Sequence, residues 1–402
     1  MSEPLKKPTP NPESHSPKDV PEILRMAAQT NTQGNLESAT ALPLFKGGTP
    51  MKPADFDFRF SGFRDLDFTN CFTSVYTFLE NLQGEVDIDR HLHMFDTVSG
   101  RSASVRGWGN VPTPIFNEIY DTEEMIEFLM GYVGYAYERH TSDLMAHIRA
   151  SIDGNVPVLA RLKKDGTPYL DGQADSFRVL TGCDGGKLQM PEANGAQNKP
   201  KKAPKLSEID SVYVITGRTA RKYTLLDGLR RIKRVMDVDR EAGVWDEYIH
   251  AFEGYWERLK GLGIKELKRL FEYAHAGTTW NCHNFGAAFR THEYLQPVSE
   301  QYQNAIWDEF KDPRFQSRTI RAGRPDDVPL FPKTLIDWAS DQSHTRQWQL
   351  HALYETRDWS KKYYDQMEWG TCETAALLLQ KIKECDDYLY QAVCGMIGIL
   401  EE

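Results

Sequence analysis

Cys71 is the residue of this chain whose position best suits covalent chemistry. It lies in the segment DFTNCFTSVYTFLENL. The apolar residues that follow it recur at helical spacing: Phe72, Val75, Phe78 and Leu79. Thr69 or Asn70 can cap such a helix, which places Cys71 in the first turn. There the helix dipole stabilises a thiolate and the first backbone amides form an oxyanion pocket. The alternative is a cysteine buried in the core as a small apolar residue.

Three histidines are candidates for the base that a cysteine nucleophile needs. His91 and His93 lie in RHLHMFDTVSGRSASVRGWGNVPTP, whose Gly, Ser and Pro content predicts a loop. In extended chain, residues two apart share a face, so both side chains could approach Cys71. His140 follows YAYER, which alternates in polarity and predicts a strand that could point at the same site. The alternative for each is a solvated histidine without a catalytic role.

The remaining cysteines and histidines do not form a metal-binding pattern. None of the six cysteines belongs to a CxxC pair. His275, His283 and His292 lack the i, i+4 spacing that places two ligands on one helix face. Cys282 and His283 are neighbours, and neighbouring side chains of a helix point about 100° apart. We therefore expect no metal and no cofactor.

The elements that must position these residues predict an α+β fold. Strands are expected at 135–139, 156–162 and 211–216, and two more on either side of the turn Cys183-Asp184-Gly185-Gly186. From Tyr223 onward, apolar residues recur at helical spacing to the end of the chain. We predict three parts: a disordered tail at 1–55, an α+β domain at 56–220 with a loop insertion at 191–207, and a helical domain at 221–402.

Composition and charge narrow the class of protein. The chain has 402 residues, of which 40% are apolar and 26% charged, with a net charge of −10. This excludes a chain that is disordered throughout, and the acidic balance argues against a general nucleic-acid-binding protein. No apolar run approaches the ~18 residues that span a bilayer, so we expect no integral membrane protein. The first residues lack the apolar segment of a secretory signal, which predicts a cytoplasmic protein with reduced thiols.

A short basic cluster lies on a predicted helix after residue 223. It comprises Arg230, Arg231, Lys233 and Arg234. A solvated helix face is the simplest interpretation. The alternative is a site for a carboxylate or a phosphate, such as the phosphopantetheine arm of an acyl carrier protein.

The order of these segments resembles the butirosin biosynthesis protein H family, whose papain-like N-terminal domain is related to double-glycine-leader cysteine peptidases. The matching pieces are DFTNCFTSVYTFLE for the nucleophile helix, DTVSGRSASVRGW for a wall of small residues, SIDGNVPVLARL for a helix-to-strand step and FRVLTGCDGGKL for the histidine-bearing strand. Residues 223–402 are similar to the helical C-terminal half of that family. The resemblance implies a papain-like domain followed by a helical bundle.

The same resemblance implies acyl transfer by a cysteine thiolate, from a thioester or peptide to an amine or to water. The family's histidine base matches Ser176, and its orienting residue matches Met190. Serine does not accept and return a proton near neutral pH. We therefore favour a catalytically degenerate protein that binds an acyl, peptide or small-molecule ligand in the ancestral cleft, in contact with Asn70 and Asp184.

Two alternatives stay open. The first is an active cysteine acyltransferase or amide hydrolase of natural-product biosynthesis, which uses Cys71 with His91, His93 or His140 as a displaced base. The second is a scaffold protein whose N-terminal tail recruits its partners.

Overall fold

Helices packed on an antiparallel sheet make up the first half of the described chain, and helices alone make up the second. The structure, a computed structural model, describes residues 44–45, 51–61, 66–82, 87–100, 122–163, 176–192, 202–253, 288, 305–317 and 370–402, with single residues between 336 and 349. The helices are α1 (Phe68–Leu79), α2 (Ile88–Val98), α3 (Thr122–Val133), α4 (Leu144–Asp153), α5 (Leu225–Glu241), α6 (Val244–Glu253), α7 (Ala305–Phe310), α8 (Arg314–Ser317) and α9 (Gly370–Glu401). The strands are β1 (Tyr135–His140), β2 (Val158–Leu162), β3 (Phe177–Leu180), β4 (Gly182–Asp184), β5 (Lys187–Gln189) and β6 (Ile209–Arg218).

Four strands form one sheet in the order β1-β6-β2-β3, and every neighbouring pair is antiparallel. β4 and β5 form a separate hairpin. Its turn consists of Gly185 and Gly186, whose φ angles are +53° and +85°. Glycine adopts such positive φ angles without strain because it has no Cβ atom. These elements confirm the α+β class and the strands expected from the sequence.

Helix α1, which carries Cys71, is enclosed on all sides. Each of its 12 residues is buried. The Phe68 ring lies 5.3 Å from Phe177 of β3, and the Phe72 ring lies 5.1 Å from Phe95 of α2, both edge to face. A helix that is buried all round belongs to the core, so the sheet and α2 together hold the helix that carries Cys71.

The segment that contains His91 and His93 is a helix, so the prediction of a loop from residue 90 onward was wrong for residues 90–98. The Asp87 side chain accepts a hydrogen bond from the Arg90 N–H at 3.1 Å and caps the start of α2. The helical spacing of Leu92, Phe95 and Val98 was outweighed by the Gly, Ser and Pro content of the residues that follow α2. Residues 101–114 of the predicted loop lie outside the described residues.

Order reaches further toward the N-terminus than residue 56, where the predicted tail ends. Leu44 and Phe45 pack against the main hydrophobic cluster, and Pro53 is buried. The Phe45 ring lies 5.7 Å from the Phe78 ring, edge to face. The tail prediction was therefore wrong for these residues, because their apolar side chains have a core to pack on. The remainder of the predicted tail lies outside the described residues.

All described elements after Arg218 are helices. Glu309 of α7 pairs with Arg221 at 2.7 Å and accepts the Leu225 N–H at 2.6 Å, which secures the start of α5. Helix α9 packs along α5 and α6. Residues Leu42–Glu402 form one compact unit, and one hydrophobic cluster runs from α1 to α9. A helical bundle as a separate domain, with its boundary at residue 220, stays a prediction.

None of the helices in the described ranges combines the length and the apolar character needed to cross a bilayer.

The predicted loop insertion at 191–207 is described in part. Residues 202–208 lead through a short 3₁₀ turn, Leu206–Glu208, into β6, and residues 193–201 lie outside the described residues.

Candidate functional site around Cys71

The N-cap of α1 is Asp67, not Thr69 or Asn70 as predicted. Its side chain accepts the Asn70 N–H at 2.8 Å. The Cys71 N–H donates to the Asp67 carbonyl at 3.1 Å as an ordinary helix bond. Two amides that an oxyanion pocket would use are therefore occupied within the helix. The Asp67 carboxylate also places a negative charge at the positive end of the helix dipole.

The Cys71 thiol is fully enclosed. Its exposed fraction is 0%, and it belongs to the main hydrophobic cluster. Burial raises the pKa of the Cys71 thiol well above its ordinary value; the Arg178 charge opposes this shift, and the Asp67 charge adds to it. Because the thiolate is the nucleophilic form, a thiol that stays protonated near neutral pH is chemically inert. The predicted position in the first turn is confirmed, but the surroundings are those of a core cysteine.

Arg178 of β3 bonds to Ser176, the residue that the resemblance matches to a histidine base. Its Nη1 donates to Ser176 Oγ at 3.0 Å and to the Phe177 carbonyl at 2.6 Å. The Phe177 N–H donates to the Leu66 carbonyl at 2.8 Å. The strand that begins after Ser176 therefore lies beside the start of the helix that carries Cys71.

The sequence analysis did not single out Arg178, although a signal for it was present. Residues two apart in a strand share a face, so the side chain at 178 points to the same side as the one at 176. Histidine is the residue type that serves as a base near neutral pH, whereas an arginine cannot because it stays protonated. Its positive charge lowers the pKa of the Cys71 thiol electrostatically, against the effect of burial.

The predicted partners Met190, Asn70 and Asp184 have different surroundings. Met190 follows β5 and packs against the edge of the main hydrophobic cluster. Asn70 is buried, and its side chain bonds to the backbone of Ser61 in both directions, accepting at 3.0 Å and donating at 3.2 Å. Asp184 ends β4 at an exposed turn. The ligand-binding roles of Asn70 and Asp184 stay predictions.

His91 is buried against aromatic rings. Its Nδ1 lies 3.2 Å from the Asp87 carbonyl oxygen, and its ring lies 5.8 Å from Trp307 and 5.9 Å from Tyr76. Tyr76 follows Cys71 by five residues on α1, which is about 140° around the helix axis. His91 therefore contacts a different side of α1 from the one that Cys71 occupies.

His93 and His140 lie in other surroundings. His93 is buried, and on α2 its side chain points about 200° away from that of His91, so the two do not share a face as predicted for an extended loop. The His140 ring stacks on His147 at 3.4 Å, and its Nε2 lies 3.2 Å from Glu138 Oε2. A role as base for any of the three histidines stays a prediction.

Within the described ranges, no three His, Cys, Asp or Glu side chains are grouped as a metal site. No protein-family model matches this chain, and no curated protein and no solved structure is significantly similar to it.

Proposed function

We propose that this chain is a catalytically degenerate protein of papain-like fold, which binds an acyl, peptide or small-molecule ligand and does not transfer it. The observation that carries the proposal is the Cys71 thiol, with 0% of its surface exposed and a raised pKa. Attack on a thioester or peptide requires the carbonyl carbon to come within ~3.5 Å of the sulfur. A sulfur enclosed by hydrocarbon is out of reach of such a carbonyl in this conformation.

The surroundings of the thiol support the same proposal. Ser176 stands at the position of the family's base, and its hydroxyl accepts a hydrogen bond from Arg178. Neither side chain removes a proton from a thiol near neutral pH. The Asn70 and Cys71 amides are both used within the start of α1, so neither is available as an oxyanion donor. A buried helix beside an antiparallel sheet supports the papain-like assignment.

The two predicted ligand-binding residues, Asp184 and Asn70, differ in how accessible their side chains are to a ligand. Asp184 lies at the exposed turn between β4 and β5 and is available to a ligand. The Asn70 side chain is engaged by Ser61 and would have to break two hydrogen bonds to contact one. We therefore place the ligand contact at the β4–β5 turn.

The second candidate is an active cysteine acyltransferase or amide hydrolase. The positive charge of Arg178 favours it, because that charge lowers the pKa of the Cys71 thiol against the effect of burial. This candidate requires an opening that exposes the sulfur and brings a histidine to it.

Turnover of a simple acyl thioester tests the proposal. With S-acetyl-N-acetylcysteamine as substrate, we expect the wild type and Cys71→Ala to release thiol at the rate of buffer alone. Cys385→Ala also removes a buried thiol and leaves a small cavity, so it is the control for the structural effect of the substitution. Thiol release by the wild type and by Cys385→Ala that disappears in Cys71→Ala would establish the second candidate instead.

A further inference from the structure

A cavity of about 300 Å³ lies between α3 and the first half of α5. It is lined by Glu124, Glu127, Phe128, Tyr223, Asp227, Arg230, Arg231 and Arg234. Its volume is at the lower end of the range for small-molecule sites, ~300–1,000 Å³. Three of its residues belong to the basic cluster noted in the sequence. The fourth member of that cluster, Lys233, pairs with Asp237 at 2.7 Å instead.

Two arginines in this cavity converge on one carboxylate oxygen. Arg231 Nη1 and Arg234 Nη2 both donate to Glu124 Oε1. Burial opposes ionisation of Glu124, but the charges and hydrogen bonds of these two arginines lower the pKa of its carboxyl group below the ordinary value. One negative charge thus faces two positive charges, and an anion with more charge would balance them better.

Arg231 is held in place before any ligand arrives. Its side chain is 9% exposed, and its Nε donates to the Ser99 carbonyl at 2.5 Å. Its guanidinium carbon lies 5.5 Å from the centre of the Phe128 ring, which stacks on Tyr223 at 4.8 Å. A fixed donor beside an apolar wall binds an anion more strongly than a mobile, solvated one, because less entropy is lost and the local dielectric is lower.

The other two carboxylates of the cavity have partners of their own. Asp227 accepts the N–H of Thr224, the N-cap of α5, at 2.8 Å and completes the capping box of that helix. The Glu127 carboxylate accepts a hydrogen bond from Lys222 Nζ at 2.6 Å. Glu124, which the two arginines bind, is therefore the carboxylate whose place an incoming anion would take.

We propose that this cavity binds a phosphate monoester, whose phosphate replaces the Glu124 carboxylate between Arg231 and Arg234. A phosphate carries about −1.5 to −2 charges and has three acceptor oxygens, which suits two guanidinium groups. The carbon part of the ester packs against Phe128 and Tyr223. Cys71 does not line this cavity, so the inference is independent of the proposed function.

Calorimetric titration at constant ionic strength tests this site with phenyl phosphate, inorganic phosphate and benzoate as probes. We expect phenyl phosphate to bind the wild type and to bind Glu124→Gln about 10-fold more tightly, since the competing carboxylate charge is gone. We expect Arg234→Gln to bind it at least ~10-fold more weakly. Glu384→Gln and Arg59→Gln carry the same charge changes at exposed residues outside the cavity and should bind like the wild type.

Four results would overturn the proposal. The first is that phenyl phosphate binds neither the wild type nor Glu124→Gln. The second is that Arg234→Gln binds phenyl phosphate with the affinity of the wild type. Benzoate binding as tight as that of phenyl phosphate would overturn the assignment to phosphate. Equal affinity for inorganic phosphate would overturn the assignment to an ester. The Arg234 side chain is 54% exposed, so Arg234→Gln is expected to keep the wild-type circular dichroism and Tm.

Discussion

At the scale of single residues, burial outweighs the features that mark Cys71 as a nucleophile. A helix N-terminus favours a nearby anion by ~0.3–1 kcal/mol, which is less than one pKa unit. Complete burial shifts the pKa of an ionisable group by up to ~3–5 units. The Asp67 carboxylate further cancels the effect of the dipole at this helix start. The sequence pattern correctly located Cys71 in the first turn, but exposure, which decides its chemistry, is not a property of the local pattern.

Asp386 of α9 is a second residue whose charge state depends on burial. Burial raises the pKa of Asp386 to about 7, although the Arg240 guanidinium, 3.8 Å away, opposes the shift. An unfolded aspartate has a pKa of ~3.9, so between these values the folded protein holds a proton that the unfolded chain releases. The free energy of unfolding therefore falls as pH rises from about 4 to about 7.

We expect Asp386→Asn to remove this loss, because its side chain cannot ionise and still accepts the hydrogen bond from Trp245. The difference in free energy of unfolding between variant and wild type should therefore shift in favour of the variant by ~1–3 kcal/mol when the pH is raised from 5 to 8. Urea denaturation followed by circular dichroism at both pH values measures this gain. Asp246→Asn, at an exposed aspartate, is the control. The same pH dependence in wild type and Asp386→Asn would show that Asp386 does not hold the proton.

At the scale of elements, the sequence predicted α1, the strands and the change to helices after β6, because each has a clear apolar period. It did not predict α2. There Leu92, Phe95 and Val98 keep a helical spacing of three residues, but the Gly, Ser and Pro content of the residues that follow them favoured a loop. The Asp67 cap was missed for a similar reason, since Thr69 and Asn70 are equally good capping residues in sequence.

The end of α1 is joined to the sheet by one ion pair. Arg218 of β6 pairs with Glu80 at 2.7 Å, with 16% and 10% of their side chains exposed. Its other nitrogens donate to the Leu44 carbonyl at 2.7 Å and to the Leu79 carbonyl at 3.0 Å. Removal of the arginine would leave a largely buried carboxylate without its counter-charge.

We expect Arg218→Met to lower the free energy of unfolding by ~2–4 kcal/mol. The buried Glu80 carboxylate loses its counter-charge, and the Leu44 and Leu79 carbonyls lose their hydrogen-bond donor. Arg59→Met breaks an exposed pair with Asp57 and should cost less than ~1 kcal/mol. Urea denaturation at neutral pH compares the two variants. An equal, small loss in both would mean that the Arg218–Glu80 pair does not anchor α1.

At the scale of the whole molecule, the enclosure of Cys71 is built from distant parts of the chain. The hydrophobic cluster that contains it also includes Phe177 of β3, Leu229 of α5 and Leu389 of α9. Such long-range packing leaves no periodic signal near Cys71 in the sequence, so the sequence placed Cys71 in the first turn of α1 but left open whether its side chain was buried. Access to the sulfur requires an opening of this shared core.

The most direct measurement is the rate at which iodoacetamide labels Cys71 in the native protein, read by mass spectrometry. Cys183, which is partly exposed, is the internal reference. We predict that between pH 7 and pH 9 Cys71 is labelled at least ~100-fold more slowly than Cys183, and that the two rates become equal in guanidinium chloride. Native labelling of Cys71 as fast as that of Cys183 at pH 7 would contradict the account, because it would reveal an accessible, activated thiolate.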